Sequence, residues 1–73
     1  MNYAEIVTTA ANNLRLLDGQ GKLGVLDSLS LLDMISELEA LTNIVIPTSE
    51  IRADVFSTIE GIAQLLTRLS TPG

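Results

Sequence analysis

The side chains that could do chemistry in this chain are few. The most suggestive spacing is Leu26-Asp27-Ser28-Leu29, where an acid and a hydroxyl adjoin the start of an apolar-periodic run. A serine at a helix N-terminus is exposed. A phosphate attached to it lies against unpaired backbone amides and the positive end of the helix dipole, worth roughly 0.3–1 kcal/mol at a surface. This serine has no histidine to activate it for catalysis, because the chain contains neither His nor Cys. The same absence excludes disulfides, thiol nucleophiles and Cys/His zinc or iron–sulfur sites. Carboxylate pairs for acid–base work need a pocket that shifts their pKa values. Glu37 with Glu39, and Asp27 with Asp33, read instead as solvated acids. No Asp-x-Asp-x-Asp loop offers a calcium site. Gly19-Gln20-Gly21-Lys22-Leu23-Gly24 matches Gly-x-Gly-x-x-Gly, but it follows a helical pattern rather than a strand, so it reads as a flexible loop and not a dinucleotide fingerprint. No metal site and no enzymatic activity are expected.

The elements that must position Ser28 are helices. Over residues 3–17, Ile6, Ala10, Leu14 and Leu17 recur at helical spacing until Asp18-Gly19 stops the pattern. Gly19, Gly21 and Gly24 mark a loop from which Leu23, Val25 and Leu26 are expected to tuck inward. A second helix starts at Asp27-Ser28, whose side chains suit capping, and runs to about Leu41 or Thr42. On it Leu31, Met34, Ile35, Leu38 and Leu41 share an arc of about 120°, a core stripe. Leu29 and Leu32 fall on the opposite side with Asp33, Ser36 and Ala40. That side is either a mixed apolar and acidic contact face or, for the two leucines, a surface buried under the loop 19–26.

Beyond Thr42-Asn43, Ile44-Val45-Ile46-Pro47 is predicted to be extended, since the residue before a proline is pushed out of the helical region. Thr48-Ser49-Glu50-Ile51 opens a brief third helix ending near Asp54, and a turn at Val55-Phe56 delivers the single Phe to the core. Ser57-Thr58-Ile59-Glu60 reads as a capping box. It starts a last helix with the apolar face Ile59, Ile62, Leu65, Leu66 and Leu69. The expected fold is all-α, a small four-helix bundle with a short third helix, over residues 1–70, followed by a flexible tail at 71–73.

Composition narrows the partners. A chain of 73 residues buries only about 60% of its unfolded surface. With 47% hydrophobic and 3% aromatic residues its core must be aliphatic. Nine acids against four bases give a net charge of −5, which repels nucleic acid and anionic membranes and favours a partner with a basic face. Without a basic N-terminal region or a long apolar run, the chain is expected to be cytoplasmic, soluble and monomeric, with no membrane insertion.

Gly24-Val25-Leu26-Asp27-Ser28-Leu29-Ser30-Leu31-Leu32-Asp33 resembles the start of helix II in the acyl and peptidyl carrier proteins, whose Asp-Ser-Leu motif presents the serine modified by a phosphopantetheinyl transferase. Ile44-Val45-Ile46-Pro47 lies where that family carries an Ile-x-Ile-Pro or Val-Pro segment. The resemblance covers roughly residues 23–69. Its second half, Ile46-Pro47-Thr48-Ser49-Glu50-Ile51-Arg52-Ala53-Asp54-Val55-Phe56-Ser57-Thr58, is similar to the D-alanyl carrier proteins and other discrete carriers of amino-acid or specialised acyl units.

The resemblance implies an acyl-carrier-like four-helix fold and covalent 4'-phosphopantetheine, derived from coenzyme A, on Ser28. It implies that Asp27 defines the turn and contacts the transferase. Leu29, Leu32, Asp33, Ser36 and Glu37 would form the partner face, with Asp33 and Glu37 pairing with basic residues. The implied partners are the transferase, a loading enzyme (an adenylating enzyme or an acyltransferase) and downstream acyl-accepting enzymes. A carrier for polyketide, nonribosomal-peptide or aminoacyl-transfer chemistry is one expectation, a fatty-acid carrier another, and an unmodified helical interaction module a third. Two departures stand out. The span before Ser28 is several residues shorter than the family's, and Ser36 stands where many members have a larger apolar residue.

Overall fold

Asn2 opens the first helix by accepting a hydrogen bond from the Ala4 amide at 2.9 Å. The computed structural model describes residues 2–70, so the expected tail 71–73 lies outside the described residues. Those residues form three α-helices: α1 (Tyr3–Asn13), α2 (Ser28–Thr42) and α3 (Ile59–Ser70). Single 3₁₀ turns lie at Thr48–Glu50 and Val55–Ser57. The only extended pairing among the described residues is an isolated antiparallel bridge between Leu17 and Leu23. The architecture is all-α, as expected, but it counts three helices rather than four.

Helix α1 is the element against which both α2 and α3 pack most closely. It buries Val7, Ala10 and Ala11 completely, and small side chains there let two neighbouring helices approach on adjoining faces. Ile6, Leu14 and Leu17, predicted to line this face, are half-buried at its edge. The helix stops short of the expected Leu17. Arg15 takes a left-handed backbone (φ 58°), its amide donates to the Asn12 carbonyl (3.1 Å), and the Leu16 amide donates to that of Ala11 (2.8 Å). This is a Schellman stop made without glycine, which is why no stop signal stands there in the sequence. The left-handed turn costs an arginine roughly 1–2 kcal/mol. It satisfies two otherwise open carbonyls and sends Leu16 and Leu17 back toward the core.

The glycine-rich stretch that follows is a pinned turn rather than a loose loop. The Asp18 amide donates to the Lys22 carbonyl (2.8 Å), and Asp18 Oδ1 accepts from the amides of Gln20 (2.8 Å) and Lys22 (2.9 Å). Gly21 supplies the required positive φ of 75°. Leu23 is buried and Leu26 half-buried, but Val25, expected to point inward, is 97% exposed. The Leu17–Leu23 bridge fixes Leu23 inward, and the chain from Gly24 to the helix start leaves only Leu26 able to follow it.

Helix α2 buries Met34, Ile35 and Leu38, with Leu31 half-buried. Leu41, predicted as part of this stripe, is 45% exposed, because in the last turn it reaches the rim of α1 beside Ile6 and Thr9. Asn43 ends the helix in the left-handed region (φ 60°), which Asn tolerates better than most residues. The following segment is extended: Glu39 Oε2 accepts from the Ile46 amide (2.9 Å), Ile46 is buried, and Val45 points out.

The expected third helix shrinks to the single turn Thr48–Glu50. Ile51 leaves the helical region (φ −87°, ψ 95°) after two backbone hydrogen bonds, Glu50 amide to Pro47 carbonyl (2.9 Å) and Ile51 amide to Thr48 carbonyl (3.0 Å), too few to carry the segment on into an α-helix. Arg68 of α3 holds this turn through a two-pronged contact with Glu50, at 2.7 and 3.5 Å. The second turn, Val55–Ser57, sets Phe56 in the core at 2% exposure. Thr58, not Ser57, caps α3: its Oγ1 accepts from the Gly61 amide (3.0 Å), while the Ser57 hydroxyl donates to the Asp54 carbonyl (2.9 Å). Ile62, Leu65 and Leu66 complete a core that contains no polar or charged residue among the described ones.

Candidate functional site

The head of α2 is where the sequence-predicted residues gather. Asp27 takes the N-cap position with extended backbone, and its Oδ1 accepts from the Ser30 amide at 2.7 Å. Ser28 is therefore the first helical residue, and the Asp27 carbonyl accepts the Leu31 amide (2.9 Å), closing the first turn. Capping by Asp27 leaves the Ser28 hydroxyl with no intramolecular duty: it is exposed and makes no hydrogen bond with the described residues. The Ser30 amide above all holds the Asp27 carboxyl below the usual carboxylate range, with help from the Ser30 side chain and the Leu29 amide. The first-turn amides are thus partly engaged by Asp27, and what remains for a group on Ser28 is its own amide and the dipole of a helix 15 residues long.

Around Ser28 the surface is apolar. Val25, Leu29 and Leu32 are 97%, 75% and 60% exposed, so neither leucine is covered by the loop 19–26. Asp33, Ser36 and Ala40 are exposed on the same side of α2. Glu37 differs from the expected free acid. It is half-buried, and its carboxylate accepts from the Asn13 side-chain amide at 3.2 Å, tying α2 to the end of α1. Glu39 is likewise engaged, on the Ile46 amide, so neither half of the Glu37/Glu39 pair is the solvated acid the sequence suggested. Sequence reasoning missed Val25 as a surface residue; its place between glycine and a half-buried leucine gave no signal of exposure.

Between the approach to α2 and the second 3₁₀ turn lies a recess of about 130 Å³, lined by Val25, Leu26, Leu31, Ala53, Phe56 and Ser57. Leu31 is three residues beyond Ser28, hence its neighbour one turn along the helix. The other motif with a chemical reading does not form a site. The amides of Gln20 and Lys22, which a phosphate loop would need, are spent on the Asp18 carboxylate, and they hold its pKa below the usual value. Among the described residues no group of three or more metal-ligating side chains comes together, and no helix is long and apolar enough to cross a membrane. No family model, curated protein or solved structure matches this chain.

Proposed function

We propose that this chain is a carrier: a non-catalytic protein that holds an acyl or aminoacyl intermediate on 4'-phosphopantetheine at Ser28 and presents it to partner enzymes in the cytoplasm. One observation carries the reading. The Ser28 hydroxyl is exposed and unpaired at the first residue of the longest helix, with its cap supplied by Asp27 and its rim by Val25, Leu29 and Leu32. The surroundings fit such a modification. Nothing covers the hydroxyl, the helix dipole favours an attached phosphate, and removing the serine proton breaks no internal hydrogen bond. Modification replaces the O–H bond of Ser28 by an O–P bond, with the proton passing to a base of the transferase and adenosine bisphosphate leaving coenzyme A. The attached arm would supply the thiol that this Cys-free chain lacks, for thioester formation.

Leu29 and Leu32 then give partners an apolar foothold beside the attachment point, while Asp33 and Glu37 favour basic partner surfaces. Such contacts are weak and salt-sensitive, as shuttling requires. The sequence of residues 46–58 favours specialised-metabolite or aminoacyl-transfer chemistry over fatty-acid synthesis. The exposed Val25, Leu29 and Leu32 also suit a second reading, an unmodified helical interaction module.

Intact mass after incubation with coenzyme A and a broad-specificity phosphopantetheinyl transferase separates the two. A gain of one phosphopantetheine on the wild type and none on Ser28→Ala is the expected result. A well-folded wild-type chain that gains no mass would leave the interaction module as the better account.

A further inference from the structure

Asp18-Gly19 is the one place in the chain where an Asp or Asn side chain immediately precedes glycine. In that pairing the glycine amide nitrogen can attack the aspartate side-chain carboxyl, because no side chain on the glycine obstructs the approach. The N–C bond forms, the C–OH bond of the protonated carboxyl breaks, and the hydroxyl leaves with the amide proton as water. Water then opens the five-membered imide at either carbonyl. One opening restores aspartate; the other yields isoaspartate, whose main chain runs through Cβ and Cγ and is one methylene longer. In the folded chain nothing bulky shields the pair: Asp18 is exposed, and a Cβ on Gly19 would have no neighbour within 4 Å. What holds the carboxylate is hydrogen bonding. Its Oδ1 accepts from the Gln20 amide (2.8 Å) and the Lys22 amide (2.9 Å), so turning Cγ to face the Gly19 nitrogen breaks both. The same two bonds favour the ionised carboxylate, which is the unreactive form.

We infer that Asp18-Gly19 is a site of spontaneous isoaspartate formation, which the folded turn holds closed and unfolding opens. The inference is independent of what Ser28 carries. The product does not fit the turn that prevents its formation. Asp18 is used there four times: besides the two side-chain bonds, its amide donates to the Lys22 carbonyl (2.8 Å) and its carbonyl accepts from the Gly21 amide (3.0 Å). Directly outside lies the Leu17–Leu23 bridge, which keeps Leu23 in the core at 7% exposure. An extra main-chain methylene at residue 18, with the carboxylate moved onto Cα, fits none of these bonds and shifts the register of the bridge. Leu23 is then no longer held inward, and the approach to α2 loses its anchor. Asp27-Ser28 is an internal reference, since its attacking residue carries a side chain and its carboxylate is held by the Ser30 amide (2.7 Å). Time spent unfolded is thus recorded as a lesion that weakens the fold.

The test is to age the full chain at neutral pH, in buffer and in concentrated urea, and to follow residue 18 by tryptic peptide mapping. Cleavage after Arg15 and Lys22 releases residues 16–22, in which isoaspartate is separated from aspartate by chromatography and identified by its fragment ions. Isoaspartate is expected to accumulate at residue 18 in urea. In buffer it should form more slowly by about tenfold or more, because the imide closes only in molecules whose turn is open. Gly19→Ala, a change for which the fold has room, should slow the reaction in urea several-fold. Gly21→Ala, which strains the left-handed position (φ 75°), should speed it in buffer. The isoaspartate-containing chain, purified and returned to buffer, should unfold at a lower urea midpoint than the unaged chain. Equal rates in buffer and urea would overturn the protection, and an unchanged midpoint its consequence for the fold. No isoaspartate at residue 18 in urea would remove the site itself.

Discussion

Asp27 and Ser28 divide two tasks that either residue type could perform alone. Both suit a helix cap, and the backbone decides: Asp27 is extended and takes the Ser30 amide, which leaves the serine oxygen free. The division has a pH signature. A carboxyl held below its ordinary value when folded binds its proton less readily than in the unfolded chain. The stability it contributes is therefore complete above the unfolded value of about 3.9 and is lost as pH falls through the lower folded value. Asp18 and Glu50 act in the same direction, through the Lys22 and Gln20 amides and through Arg68 respectively. Asp27→Asn keeps the capping acceptor and removes this one titration. Its urea midpoint should lie below the wild type near neutral pH and fall less steeply on acidification, so that the gap closes, and parallel pH profiles would show that Asp27 carries none of the dependence. At this scale the sequence was informative where residue type and helical phase agree, as for the exposed Leu29, Leu32, Asp33 and Ser36. It was silent where a side chain meets one from a distant element, as Glu37 meets Asn13.

At the scale of elements, the second 3₁₀ turn meets α3 with no room to spare at Gly61. A Cβ on Gly61 would lie 2.5 Å from the Val55 carbonyl oxygen and 3.0 Å from Thr58 Oγ1, so glycine is what lets the helix begin against that turn. Gly61→Ala gains about 1 kcal/mol of helix propensity. It also forces an overpacked contact with backbone, which costs about 1–3 kcal/mol, and disturbs the Thr58 cap. A net loss of stability is expected in urea unfolding, and a stabilised variant would show that the Val55 carbonyl can give way. The three long helices were legible because their apolar residues recur over many turns. Their ends were less so. Arg15 makes a left-handed stop normally marked by glycine, and Ser57 and Thr58 present adjacent hydroxyls of which only Thr58 faces the first turn. The expected third helix failed for want of length, since Ile51 breaks away after one turn.

For the molecule as a whole, one residue joins the irregular segment to the helices. Phe56 sits in the common core with residues from α1, α2 and α3. Phe56→Ala should cost about 3–5 kcal/mol, a large share of the roughly 4–11 kcal/mol that a chain this long holds. Circular dichroism should show a strongly lowered melting temperature or an unfolded chain, with Phe56→Leu recovering most of the loss; a variant melting within a few degrees of wild type would mean that the segment packs independently. The fold class was readable from periodicity. The number of helices was not, because a four-residue segment can become a helix or a turn depending on what Phe56 must reach. That α1 is the shared support of α2 and α3 has a further consequence during synthesis. The ribosome releases α1 well before α3, yet Val7, Ala10 and Ala11 are covered only when the second and third helices have both arrived. A nascent chain halted before Ile59 would expose that apolar strip and be prey to proteases and chaperones, so closure of the fold waits for almost the last residue of α3 to emerge.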